Sequence, residues 1–181
     1  MKKIRSSLRQ AYDVIVENIK EPRVSPWITD NFYVIDKHFK SAVKDKKSLS
    51  YVTLYHLLKT ACEEYDYVIS PKRLIKYLSA QKIRFSYDEL CSVRTLLSAC
   101  AIEKIASVLT ELKGENMLPD AIKLLRNLSD PEYNDIVPSL WECESLLIRC
   151  EKGFNESDNA TKDMYRRCIA RHARRMGIGE S

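Results

Sequence analysis

Residues 86–112 read SYDELCSVRTLLSACAIEKIASVLTEL. The run opens on a capping box, in which the Ser86 hydroxyl accepts from an early helix amide and the Glu89 carboxylate reaches back to the cap. A long, apolar-rich helix follows to about Leu112, where Gly114 and Asn116 stop it. A helix this rich in apolar residues needs partners on most of its sides. The chain around it supplies helices rather than strands.

Upstream, residues 3–20 place Ile4, Leu8, Ala11, Ile15 and Ile19 at helical spacing. Pro22 interrupts that helix, and Ser25-Pro26 starts the next. Ser caps the free amides there, and Pro fits the first turn, where its missing N–H costs nothing. The second helix, WITDNFYVIDKHFKSAV, carries Ile28, Phe32, Ile35 and Phe39 on one stripe. A third, at about residues 50–65, has Leu54, Leu57, Leu58 and Ala61 as its core face. Ser70-Pro71 repeats the start signal before a short helix, KRLIKYLSAQ. Downstream, a helix at about residues 119–128 turns Ala121, Leu124, Leu125 and Leu128 inward, and SDPEYND is a turn. SLWECESLLIRC is the next helix, with Pro138 early in it. Ser157 or Asp158 caps the last helix, which ends near Gly177. The expectation is an all-α single domain over residues 1–181, an irregular array of about seven to eight helices.

With 45% apolar residues the chain can bury a core, and its few glycines (4) and many charges (30%) favour charge-decorated helices. The net charge of +5 is too mild to imply nucleic acid by itself. Its distribution says more: Lys162, Arg166, Arg167, Arg171, Arg174 and Arg175 face a single acid, Asp163, so the last helix is basic. The dense aromatics between Trp27 and Tyr67 lie at the opposite end of the sequence, whereas an RNA reader interleaves the two. No segment approaches the ~18 uninterrupted apolar residues of a membrane span. Asp13, Glu17 and Lys20 break the apolar run that an export signal needs.

Six cysteines (Cys62, Cys91, Cys100, Cys143, Cys150, Cys168) form no CxxC pair and have no His at finger spacing. Reduced, mostly buried thiols in an intracellular protein are expected, with Cys143 and Cys150 on one helix face. His38 and His172 sit among charges and are expected at the surface, and His56 is expected to pack or to line an interface. Nucleophile-elbow, dinucleotide and P-loop patterns are all missing from the sequence. No catalytic residue, cofactor or metal is therefore assigned to this chain.

Two stretches resemble a known family. SPWITDNFYVIDKHF (residues 25–39) resembles an early signature of cyclic β-1,2-glucan synthases, with Ser-Pro, then Trp27, then Asp30-Asn31-Phe32. SDNATKDMYRRCIARHARRMGI (residues 157–178) resembles a later one, through Asp158, Thr161, Asp163, Tyr165 and Arg166. Between them, ISPKRLIKYLSAQ and the capped helix at Ser86 are similar to the family's short helix and long helix, in the same order. Lys162 stands where that family usually has Arg, Asn159 where it has an aromatic, and the GFNES loop is shorter. The resemblance implies the amino-terminal helical region of a much larger bacterial inner-membrane enzyme. That enzyme builds a β-1,2-linked chain from UDP-glucose. The region would be cytoplasmic, non-catalytic and docked on the transferase domain or on an anionic membrane surface. Arg167, Arg171, Arg174 and Arg175 would make the membrane or partner contact, a juxtamembrane placement that positive residues favour. Asp158, Thr161 and Asp163 would serve the helix start, as would Asp30 in the first turn of the second helix. Asn31, a poor mid-helix residue, is expected to bond a neighbouring loop. Behind this reading stand a free-standing helical adaptor and, last, a nucleic-acid binder using the arginine cluster.

Overall fold

The computed structural model describes residues 2–20, 26–111 and 118–180, and of residues 2, 26 and 27 the backbone alone. Ser25, Leu112, Gly114, Asn116 and the Trp27 side chain, all invoked above, lie outside the described residues. Among those described, no residue is in a strand. The helices are α1 (Lys2–Ile19), α2 (Pro26–Lys44), α3 (Val52–Glu64), α4 (Pro71–Ala80), α5 (Tyr87–Cys91), α6 (Val93–Glu111), α7 (Leu118–Asn127), α8 (Ile136–Leu140), α9 (Cys143–Cys150) and α10 (Asn159–Met176). Short 3-10 turns cover Ser48–Ser50 and Pro131–Asp135. All eight expected segments are helical, and two of them are each divided in two.

The first division falls inside the stretch that decides the fold. The capping box forms as expected: Ser86 Oγ accepts from the Glu89 amide while the Glu89 carboxylate accepts from the Ser86 amide at 2.9 Å. The helix then breaks at Ser92, whose hydroxyl donates to the Asp88 carbonyl at 2.6 Å and accepts from Ser48 Oγ at 2.8 Å. A serine that back-bonds to the preceding turn bends a helix. Here the bend is held by Ser48, itself bonded to the Asp45 carboxylate. The second division falls at Trp141, whose backbone is extended. That leaves the buried indole against the Tyr87 ring, centroids 5.5 Å apart.

α6 is the axis of the array. Residues from Val93 to Val108 are buried on nearly all sides, including Leu96, Leu97, Ala99, Cys100, Ala101, Ile102 and Ile105. α1, α2, α3 and α7 pack around it. Each fully buried Leu or Ile there contributes roughly 1.5–3 kcal/mol relative to an exposed one. The stripe expected on α7 is buried, and so is that on α1 except for Ile19, which is half-buried. On α2 Ile28 and Ile35 are buried, while Phe32 and Phe39 are half-buried and stack on Tyr12. Leu57 is half-buried. The α3–α4 turn places Asp66 and Tyr67 at φ of 48° and 63°, which tucks the Tyr67 ring into the core. None of the described helices is long and apolar enough to cross a membrane.

Candidate functional site

The residues of the two family signatures fall in two different packings. On α2, Asn31 is buried and accepts from Arg126 Nη2 on α7. Asp30 is exposed, and it lies beyond the first turn of α2, which holds no acid. The expected helix-start role for Asp30 is therefore corrected.

The second signature builds the seat of α10. Asp158 is its N-cap, accepting from the Thr161 amide at 2.8 Å and from the Thr161 hydroxyl at 3.2 Å. These bonds hold the Asp158 carboxyl below its usual range. Asp163 serves α10 differently from the expected dipole role, pairing with Arg166 Nη1 at 2.8 Å. Arg166 turns inward. Its Nε and Nη2 donate to the two oxygens of Glu144 on α9, at 2.8 and 2.6 Å, in a bidentate fork. Both side chains are over nine-tenths buried. The guanidinium also lies over the Phe154 ring, which meets Tyr165 edge-on. At the other end Gly177 adopts φ 65°, and the Ile178 amide bonds the Ala173 carbonyl, a left-handed helix stop. That stop turns the tail back over α9 and α5. There the Glu180 carboxylate accepts from the Tyr87 amide at 2.6 Å and from Trp141 Nε1 at 3.2 Å, and Cys143 Sγ donates to the Glu180 carbonyl.

With α10 seated in this way, its remaining arginines divide. Arg167 lies against the Tyr87 side chain, which raises its pKa, and Arg174 pairs with Asp88 at 2.9 Å beside Lys47. Arg174 is thus partly committed to the fold rather than held out for a partner. Arg171 and Arg175 are exposed, and among the described residues neither has a carboxylate within 4 Å. A groove of about 490 Å³ runs between α9, α10 and the tail, walled by Cys143, Leu146, Cys168, Ile169, His172, Ala173 and Ile178. Sequence reasoning missed this groove. The signal available was Leu146 on the short α9, exposed to 46% in the fold. A second hollow of about 480 Å³, lined by Met164, Arg167, Cys168 and Arg171, follows α10 along its other flank.

Other clusters hold less. A cleft of about 360 Å³ between α5, α8 and α10 is lined by Tyr87, Arg94, Asn134, Asp135 and Arg167, but its cations are engaged. Arg94 donates to the Asp130 carbonyl and to Asn134, and Arg167 lies against the Tyr87 side chain. In the core, Cys100 lies beside Cys62, and burial drives the Cys100 thiol well above its ordinary pKa. Beside them Tyr55 donates to Glu103, and Lys59 pairs with Glu103 at 3.4 Å. Protonated thiols are poor nucleophiles. Cys143 is buried and Cys150 exposed, so the two do not share an environment. Of the six thiols only Cys62, Cys100 and Cys143 are buried, fewer than expected. His38 is half-buried rather than at the surface, 3.0 Å from Ser98 Oγ. His56 and His172 are exposed. Among the described residues, no group of three metal-ligating side chains could hold an ion.

In comparisons with known proteins, no family model, no curated protein and no solved structure matches the chain.

Proposed function

We propose that this chain is a non-catalytic docking domain of a membrane-bound cyclic β-1,2-glucan synthase, held on the cytoplasmic side against the transferase portion of the enzyme. The observation that carries the reading is the division of labour along α10. The residues that resemble the family signature, Asp158, Thr161, Asp163, Tyr165 and Arg166, are spent on seating the helix. Arg171 and Arg175 stay outside, exposed and with no carboxylate within 4 Å among the described residues. A helix fixed so firmly, with such a face left open, suits a rigid surface presented to another body. The signature residues then act on recognition indirectly, by fixing where the arginines point. Glucosyl transfer from UDP-glucose belongs, in this reading, to the rest of the parent enzyme.

The test is capture. The immobilised chain is incubated with a detergent-solubilised cyclic β-1,2-glucan synthase lacking its own amino-terminal helical segment, after gel filtration shows that protein to be monodisperse. Retention on the chain supports the reading. Retention no better than on an unrelated helical protein overturns it and leaves the free-standing adaptor. Formation of polymer by the chain alone from radiolabelled UDP-glucose would overturn the non-catalytic assignment.

A further inference from the structure

A hollow of about 210 Å³ lies where α2, α6 and the end of α7 meet. Lys37, His38 and Ser41 line it from α2, Arg94 and Ser98 from α6, and Ser129 from just past α7. Among the described residues, no aspartate or glutamate lines it. Neither Lys37 nor Arg94 has a carboxylate within 4 Å among the described residues. Arg94 Nη2 donates to the Asp130 carbonyl at 3.1 Å and to Asn134 Oδ1 at 3.0 Å. Those two neutral acceptors fix the guanidinium in place without cancelling its charge. Like charges gathered without a counter-ion repel one another. The effect reaches His38, whose pKa is lowered by burial and then by Lys37.

The hydroxyls around the hollow divide into two sets. Ser98 donates to the Arg94 carbonyl at 3.0 Å, and Thr95 donates to Asp45 at 3.2 Å. Ser41 and Ser129 are exposed at the rim and are left to meet a ligand. The carbonyls at the end of α7 are spent, since those of Arg126 and Asn127 accept from the Ser129 and Asp130 amides. Cations and hydroxyls arriving from three elements call for an anion with acceptors in several directions. A phosphate has four oxygens, and at the ~30 Å³ of a water each they fill roughly 120 Å³. The hollow holds that with room for a small substituent, and it is smaller than the ~300–1,000 Å³ pockets that enclose drug-sized ligands. A carboxylate presents two oxygens in one plane and would leave donors on one side unmet. We infer that the α2–α6–α7 hollow binds a phosphate group, with Lys37 and Arg94 as counter-charges and Ser41 and Ser129 as hydrogen-bond donors. The site is independent of the docking reading, because no residue of α10 lines it.

The probe is inorganic phosphate, titrated into the full chain against chloride at constant ionic strength. Binding is followed by NMR of the His38 ring and the Ser129 amide, and saturable shifts are expected at both. Lys37→Glu and Ser129→Asp each place an acid at the rim and are expected to weaken binding at least about tenfold. Both positions are exposed, so thermal melting should match the wild type and show that the fold is kept. Lys72→Glu, at an exposed position of α4 that does not line the hollow, makes the same change in net charge as Lys37→Glu. It is expected to bind phosphate as the wild type does. Glycerol 3-phosphate and acetate form the other arms. Tighter binding of the ester than of the ion supports a phosphomonoester as the ligand, and the reverse order supports the free ion. Three results overturn the inference: no saturable shift with either phosphate, acetate bound as well as phosphate, or a loss for Lys37→Glu no larger than for Lys72→Glu.

Discussion

Replacing Arg166 with Ala should damage the fold more than any other change on α10. The guanidinium makes three hydrogen bonds, two to Glu144 and one to Asp163, between 2.6 and 2.8 Å. The hydrogen bonds it donates to Glu144 hold its pKa above the ordinary arginine value. Removing it strands the Glu144 carboxylate, whose side chain is 8% exposed. Breaking one side of a buried pair costs about 3–5 kcal/mol, mostly as the desolvation of the charge left behind. Asp163 adds little, being 46% exposed and free to turn to water. For a chain of this length each kcal/mol moves the melting temperature by roughly 2–4 °C, so a drop of about 10 °C is expected. The desolvation argument makes a second, sharper demand. If the penalty comes from the stranded charge, then Arg166→Met combined with Glu144→Leu should recover most of the loss. The assay is urea unfolding followed by circular dichroism at 222 nm, on both single variants and the double variant. A cost below about 1 kcal/mol for Arg166→Ala, or a double variant as unstable as the two singles summed, would refute the reasoning.

Three other outcomes are expected. Gly177→Ala meets no steric contact, since an added Cβ would find nothing within 4 Å, so its cost is the left-handed backbone alone. That is about 1 kcal/mol, measurable by the same unfolding curves. Burial lowers the His38 pKa below its ordinary 6.5, with Lys37 adding to the effect. Below that value the unfolded chain binds more protons than the folded one, so the stability contributed by a neutral His38 is present above about pH 6.5 and lost as pH falls through the folded pKa. His38→Gln should flatten that part of the stability–pH curve, and an NMR titration midpoint at or above 6.5 would contradict it. Finally, a disulfide-exchange reagent should label the exposed Cys150 and Cys168 in the native protein, and Cys62 and Cys100 only after unfolding. Rapid native labelling of Cys100, read by mass spectrometry, would be inconsistent with its burial.

What was legible in the sequence is what local physics determines. The capping box at Ser86, the Ser70 and Asp158 caps and the glycine stop at Gly177 each involve residues within one or two helical turns, and each forms. So do the apolar stripes, because helical period alone places them. What stayed hidden depends on partners far along the chain. Ser92 looks unremarkable inside an apolar helix, and only Ser48, 44 residues earlier, reveals it as a break. Asn31 was visible as an oddity, but one partner that holds it, Arg126, is 95 residues on. Arg166 looked like one cation in a basic cluster. Its burial depends on Glu144, an acid with no local mark to distinguish it from the exposed Glu142 two residues before. The groove is the same kind of feature, made by a tail that Glu180 pins to Tyr87, 93 residues earlier.

The central claim is that the inward residues of α10 hold a surface whose work is done by the outward arginines. Capture of the truncated, solubilised synthase by the wild-type chain, compared with Arg171→Glu/Arg175→Glu at matched melting temperature, tests it most directly. The account predicts retention by the wild type and a loss of at least about tenfold in affinity, about 1.4 kcal/mol, for the variant. No retention by the wild type, or equal retention by both, would contradict it.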